Sequence, residues 1–277
     1  MELELSKGSK RIVIKIGTNS IMKSIDKINY HKIDRLAYVC STLRQQGHEV
    51  VLVASGAVGA GACTLNMDTY PDSIAEKQAL ASVGQGVLMN LYSRFFQHYD
   101  QHVGQILMTR DIVSYPNAYA NCQTTINSLL TNKIIPIINE NDAVSVDESG
   151  RRSKFGENDT LSAVVTEVTE ADLLIILSDI EGLFDANPHT ESDAKLIPYV
   201  NEVSEEILAM AGGAGSVFST GGMETKLSAA KRVMDNNQSM VIASAENPNI
   251  IFDIVDGKEV GTLFKKELPE LLKQGDD

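Results

Sequence analysis

Positive charge is in short supply in this chain. Its 24 Lys and Arg face 37 Asp and Glu, for a formal net charge of −13. A nucleic-acid partner is not expected, because phosphate backbones reward clustered Lys and Arg. Net charge averages over a surface, so one local basic site remains compatible with it. Long apolar runs are also missing. Nothing approaches the roughly 20 residues of a membrane-spanning helix, and the first ten residues, MELELSKGSK, have no signal-peptide core. Neither a membrane partner nor export is expected. Cysteine is scarce: Cys40, Cys63 and Cys122 stand apart, with no CxxC and no His/Cys cluster suited to zinc. Each lies in an apolar stretch, which points to buried free thiols in a reducing, cytoplasmic setting. No Ser/His/Asp or Cys/His set is evident, and His31, His48, His98, His102 and His189 fall outside every motif described below. No protein-held metal site is expected.

What is present is an ordinary globular composition, 43% hydrophobic and 22% charged over 277 residues, sufficient for a real core. RIVIKIG (11–17), EVVLVASGA (49–57), VGQILMT (103–109), IIPIIN (134–139), ADLLIILSD (171–179) and MVIAS (240–244) read as strands. Helical patterns stand between them, with Ile33, Leu36, Ala37, Cys40 and Leu43 on one face of the first. Others cover 74–96, about 117–131, 160–169, 203–211 and about 223–236. Such alternation predicts an α/β fold with a mainly parallel sheet and helices on both sides. The strands lack polar/apolar alternation, as buried parallel strands do. DAVSVDESGRRSKFG (142–156) suggests a hairpin around 148–150, 180–200 a loop or hairpin, and ELPELLKQGDD a frayed end. With no repeat or linker, one domain is expected over 1–277, its core about 10–265.

In open α/β sheets ligands bind beyond the carboxyl ends of the strands. Small and polar residues close four of these strands: Gly17-Thr18-Asn19-Ser20, Ser55-Gly56-Ala57, Asn139-Glu140-Asn141-Asp142 and Ser178-Asp179. Lys15 sits inside an apolar strand, where an unpaired ammonium is costly. Its head reaches a cleft or a buried carboxylate, unless the strand is an edge and the lysine snorkels to solvent. SGAVGAG has the composition of an anion nest and equally that of a tight strand-to-helix turn. In GENDTLSAVV (156–165), Asn158 and Asp159 are both good N-caps. Three polar residues together, with Glu157, suggest groups presented at a helix end that favours anions. Asp142 suits a ligand's ammonium group, or marks an exposed turn.

The stretch STGGMETK (219–226) is neither a Walker A motif nor part of a GxGxxG fingerprint. It still has the means to hold phosphate. Thr220 offers a hydroxyl, Gly221 and Gly222 expose N–H groups, and a helix starting near Met223 places Lys226 one turn inside, able to reach back over the helix end. A solvated lysine on a glycine-started helix is the plainer alternative.

Taken together, VIKIGTNS (13–20), LVASGAVGAG (52–61), INENDAV (138–144), FGENDTLSA (155–163), LSDIEGLFDANP (177–188) and TGGMETK (220–226) resemble the amino acid kinase family, in the family's order and over nearly the whole chain. The resemblance implies a three-layer αβα sandwich that transfers the γ-phosphoryl of ATP, with Mg²⁺, to the side-chain carboxylate of L-glutamate. The product would be L-glutamyl 5-phosphate, the first intermediate of proline synthesis. It implies that Lys15 and Lys226 stabilise the transferring phosphoryl and that Asp159 orients them. Ser55, Asn158 and Asp142 would be glutamate ligands. Lys15, Ser178, Asp179, Thr220, Gly221, Gly222, Met223, Glu224, Thr225 and Lys226 would form the nucleotide site.

Glu157 stands where the family often has Asp, and Ser178 where it often has Thr. Many family members also carry a C-terminal PUA domain, and none is expected in this chain. L-proline, which resembles a cyclised glutamate, is the expected feedback ligand, and a homo-oligomer is expected. Two rival readings stand beside this one. Another family member would phosphorylate acetylglutamate, aspartate, carbamate or UMP. A non-catalytic sensor of amino acids or nucleotides would have no need of both lysines and Asp159.

Overall fold

The computed structural model describes residues 10–144, 158–188, 190–191, 193–212 and 222–266. The expected hairpin at 148–150, Glu157, Thr220, Gly221 and the tail ELPELLKQGDD lie outside the described residues.

The chain begins with β1 (Arg11–Ile16), a short helix α1 (Thr18–Ile21), a hairpin of β2 (Met22–Ser24) and β3 (Lys27–Ile28), and α2 (Tyr30–Gln45). Next come β4 (Glu49–Val53), α3 (Ala57–Thr64), α4 (Ile74–Gln97), β5 (Val103–Met108) and α5 (Pro116–Thr131). β6 (Ile135–Glu140), α6 (Asp159–Val168), β7 (Leu173–Ser178), β8 (Tyr199–Val200) and α7 (Glu205–Gly212) follow. The described part closes with α8 (Gly222–Asp235), β9 (Ser239–Ser244), α9 (Ile250–Val255) and β10 (Thr262–Phe264).

Among the described residues one large sheet has the order β5-β6-β4-β1-β7-β9-β10-β8. Its pairings are parallel except for β10 against β9. The three-residue β10 carries too little periodic pattern to be read from sequence. Side chains alternate between the two faces of a strand, and β1 divides accordingly. Ile12, Ile14 and Ile16 enter a core with residues of α2, α4 and α9, while Val13 joins Leu161, Val164 and Leu227 from α6 and α8. Lys15 shares the face of Val13. Helices therefore cover both faces, the three-layer sandwich expected from the strand patterns.

The four strands with small and polar ends, β6, β4, β1 and β7, are immediate neighbours in this order and all parallel. Their carboxyl ends therefore open onto one edge of the sheet. β1 lies at the centre: Lys15 is in register with Val53 on one side and Ile176 on the other. This excludes the edge-strand reading of that lysine.

The glycines of SGAVGAG divide between two tasks. Gly56 caps α3 at φ 92°, a left-handed conformation natural to glycine. Gly61 lies within α3 and faces α4, where a Cβ would run into the Leu80 carbonyl; one on Gly84 of α4 would run into that of Ala57. These two glycines let the helices touch backbone to backbone, so the anion-nest reading contracts to Gly56 and the start of α3. Among the cysteines, Cys40 and Cys122 are buried, and burial pushes the Cys40 thiol up to about 12. Cys63 is only half-buried, and its Sγ donates to the Asp26 carbonyl at 3.1 Å in the turn of the β2–β3 hairpin.

Candidate active site

A cleft of about 900 Å³ opens over the carboxyl ends of the four central strands. That volume lies within the range of small-molecule sites, roughly 300–1,000 Å³. At its floor Lys15, Asp159 and Lys226 converge. Lys15 Nζ is 2.6 Å from Asp159 Oδ1, and Lys226 Nζ is 3.2 Å from Asp159 Oδ2. Lys15 is 4% exposed, Asp159 1% and Lys226 8%. The cluster follows from the fold: Lys15 points to the face covered by α6 and α8, and those helices begin beside it with Asp159 and Gly222.

Each charge is held from more than one side. Thr225 Oγ1 donates to Asp159 Oδ2 at 2.9 Å, and Lys226 Nζ donates to the Gly222 carbonyl at 2.9 Å. The lysine thus folds back over the start of its own helix. Burial by itself pushes the Asp159 carboxyl up. Lys15 and Lys226, with hydrogen bonds from Lys15 and Thr225, outweigh it and hold the group below the usual carboxylate value. Asp159 is also the first residue of α6, where the helix dipole favours negative charge.

Asn158 departs from the capping expectation. It stands at the N-cap position, but its side chain makes no cap hydrogen bond. Its amide donates instead to the Ala54 carbonyl at 2.5 Å and to Asn139 Oδ1 at 2.6 Å. Asn139 in turn donates to Gln85 Oε1 on α4 at 2.7 Å. This chain of amides ties the ends of β4 and β6 and the start of α6 to α4. Ser55 is 1% exposed and lines the cleft, and its Oγ has no hydrogen-bond partner among the described residues. A buried unsatisfied hydroxyl is costly, and a ligand in the cleft would relieve it.

The structure brings Lys15, Ser55, Asp142, Asn158, Asp159, Ser178, Asp179, Gly222 and Lys226 to the cleft. Ser178 Oγ donates to Asp179 Oδ1 at 3.0 Å at the end of β7. Met223 instead turns into the core, Glu224 faces solvent, and Thr225 serves the Asp159 carboxylate. Four cleft or support residues escaped the sequence reading: Tyr70, Asp72 and Lys77 on the lining, and Gln85 behind it. The first three lie between motifs, in a loop and the opening turn of α4, where no spacing marks them. Gln85 lies on α4 in a stretch legible only as helix.

Comparison with known proteins gives the family. The model of the amino acid kinase family matches residues 10–244. The chain belongs to the amino acid kinase family. It is 52% identical to glutamate 5-kinase of Streptococcus agalactiae over 92% of this chain and 96% of that one. It is 50% identical to glutamate 5-kinase of Listeria innocua over 98% of this chain and 99% of that one. In fold it is similar to carbamate kinase from Giardia lamblia, with a TM-score of 0.67 and 14% identity over 94% of this chain and 99% of that structure. No helix among the described residues is long and apolar enough to cross a membrane.

Proposed function

We propose that this amino acid kinase transfers the γ-phosphoryl of ATP to the side-chain carboxylate of L-glutamate, giving ADP and L-glutamyl 5-phosphate, the first step of proline synthesis. The observation that carries this reading is the buried Lys15–Asp159–Lys226 cluster at the cleft floor. The relatives at 50–52% identity, named glutamate 5-kinase, support the choice of acceptor.

A carboxylate is a nucleophile at neutral pH without help, since glutamate-type groups ionise near pH 4.3, roughly. No general base is needed. A carboxylate oxygen of the substrate forms a bond to the γ-phosphorus as the bond from that phosphorus to the β–γ bridging oxygen breaks. The electron pair leaves on ADP. The obstacle is charge, because an anion must approach a polyanion, so positioning and neutralisation carry the catalysis. Lys15 and Lys226 would receive the transferring phosphoryl. Asp159 keeps the two ammonium groups together and aimed. Ser55, Asn158 and Asp142 form the glutamate side, and Ser178, Asp179 and Gly222 the nucleotide side.

Mg²⁺ would arrive with ATP and offset the phosphate charge. Among the described residues no group of three or more His, Cys, Asp or Glu forms a cage for a metal, and Mg²⁺ on a nucleotide is commonly held by phosphate oxygens and water. L-proline, a cyclised relative of glutamate, is proposed to compete at the glutamate side. Saturating proline should then slow the enzyme at subsaturating glutamate and lose its effect as glutamate rises.

The test is ADP release from MgATP and L-glutamate, with hydroxylamine trapping the acyl phosphate as hydroxamate. Glutamate-dependent ADP matched by hydroxamate is expected. Turnover with acetylglutamate, aspartate, carbamate or UMP in place of glutamate would reassign the acceptor. Tight ATP or proline binding with no turnover would make the chain a sensor.

A further inference from the structure

Three of the described residues that line the cleft carry positive charge: Lys15, Lys226 and Lys77. The first two share Asp159. Lys77 belongs to another wall, in the opening turn of α4, which starts at Ile74 after the N-cap Ser73. A helix start disfavours a cation, since its unpaired N–H groups already supply positive partial charge. The adjacent Glu76 occupies the position that the helix end favours and is tied to the N-cap: Ser73 Oγ accepts from Glu76 N at 3.3 Å and donates to Glu76 Oε2 at 2.5 Å. Helix stability therefore accounts for Glu76 and gives no reason for a lysine at 77.

The wall that carries Lys77 is pinned to the acceptor side of the cleft. Gly61 and Gly84 lock α4 onto α3, which begins directly beyond Ser55 and Gly56. The loop before α4 folds back over α3, so that a Cβ on Gly59 would come within 3.3 Å of the Tyr70 hydroxyl. The nucleotide side, at the end of β7 and the start of α8, lies across β1 from this wall.

Free glutamate brings three charges to this side. Its γ-carboxylate must face the phosphoryl group over Lys15 and Lys226. Its ammonium group suits the carboxylates of Asp142 and Asp72, both on the cleft lining. Its α-carboxylate would be repelled by those same acids and calls for a cation. We propose that Lys77 receives the α-carboxylate of glutamate and makes a free α-carboxylate a requirement of the acceptor. This inference rests on the function proposed above.

The experiment compares L-glutamate with its α-amide, L-isoglutamine, which keeps the γ-carboxylate and loses only the α-charge. ADP release gives KM for each, or Ki where the amide is not phosphorylated. The wild type should prefer glutamate. Lys77→Met should raise the KM for glutamate by about 10–100-fold, the range of a lost hydrogen bond to a charged group. It should raise KM more than it lowers kcat and leave the constant for the amide little changed, so the preference collapses. Lys77→Arg should restore part of it. Retention of the wild-type preference in Lys77→Met, or an equal shift for both compounds, overturns the proposal. So does a wild type that does not distinguish them. If Lys77→Met does not fold, Lys77→Gln provides the same comparison. A wild type with no glutamate-dependent turnover would instead overturn the proposed function itself.

Discussion

Lys15 and Asp159 meet at 2.6 Å beneath the cleft, one from the central strand and the other from the first residue of a helix that packs on that strand's face. Lys226 reaches the second oxygen of the same carboxylate. Two cations gathered on one anion leave a net positive charge in a nearly water-free place. That surplus is what a transferring phosphoryl group requires, and it is stable without ligand because Asp159 is there.

Removing either cation should therefore cost turnover more than fold. Lys15→Ala and Lys226→Ala are each expected to lower kcat by about 10²–10³, as for loss of one positioned donor to developing charge. Steady-state ADP release, with circular dichroism to check the fold, makes the measurement. Near-wild-type turnover in either variant would remove that lysine from the mechanism.

Asp159→Asn keeps the shape and deletes the charge. Lys15 and Lys226 would then face each other without their shared counter-ion. Breaking a buried ion pair by removing one partner costs about 3–5 kcal/mol, so urea unfolding should show a large loss of stability. The same variant should lose kcat by at least about 10². A variant as stable and as active as the wild type would contradict both expectations.

The acid side of the stability profile should report on the same group. Asp159 is held below its ordinary value when folded, because the two lysines and the hydrogen bonds outweigh burial. A depressed folded value means that its contribution is complete above the unfolded value, near pH 3.9, roughly, and is lost as pH falls through the folded one. The stability difference between wild type and Asp159→Asn should be flat through neutral pH and shrink only below about pH 4. A difference that fades between neutrality and pH 5 would place the carboxylate's value too high for this environment.

Two glycines on one helix should answer alanine in opposite ways. A Cβ on Gly84 would overlap the Ala57 carbonyl, whereas one on Gly86 meets nothing within 4 Å. Gly84→Ala is expected to cost about 1–3 kcal/mol or more through overpacking. Gly86→Ala should gain up to about 1 kcal/mol from helix propensity. Thermal melts of the two variants decide the matter, and similar melting temperatures would refute the close helix contact.

Much of this arrangement was legible in the chain itself. Runs such as RIVIKI and LLIILS are apolar on both faces, which marks buried parallel strands, and the helices between them carry one apolar stripe each. Lys15 stood out because an ammonium within such a run needs a counter-charge. The four polar strand ends, the start of α6 and the glycine-started helix of Lys226 also marked themselves. Other features were illegible for stated reasons. Asn158 has the residue type of a cap, and only the proximity of Ala54 and Asn139 shows its amide turned elsewhere. Gly61 reads as a nest or turn glycine and Gly84 only as part of a helix, until α3 and α4 are seen to touch backbone to backbone at them. Lys77 belongs to no motif.

Sequence by itself determined the longer elements, because periodicity and residue type act over a turn of helix or a few residues of strand, whereas short pieces such as β10 carry too little pattern. It also determined the inventory of charged and small residues available to a phosphoryl-transfer site. The tertiary structure decided which of them meet. The order β6-β4-β1-β7 puts the four strand ends side by side, and the face of β1 that α6 and α8 cover selects Lys15, Asp159 and Lys226 as partners. Those are contacts between distant segments, set by which apolar faces pack together, and no local pattern encodes them.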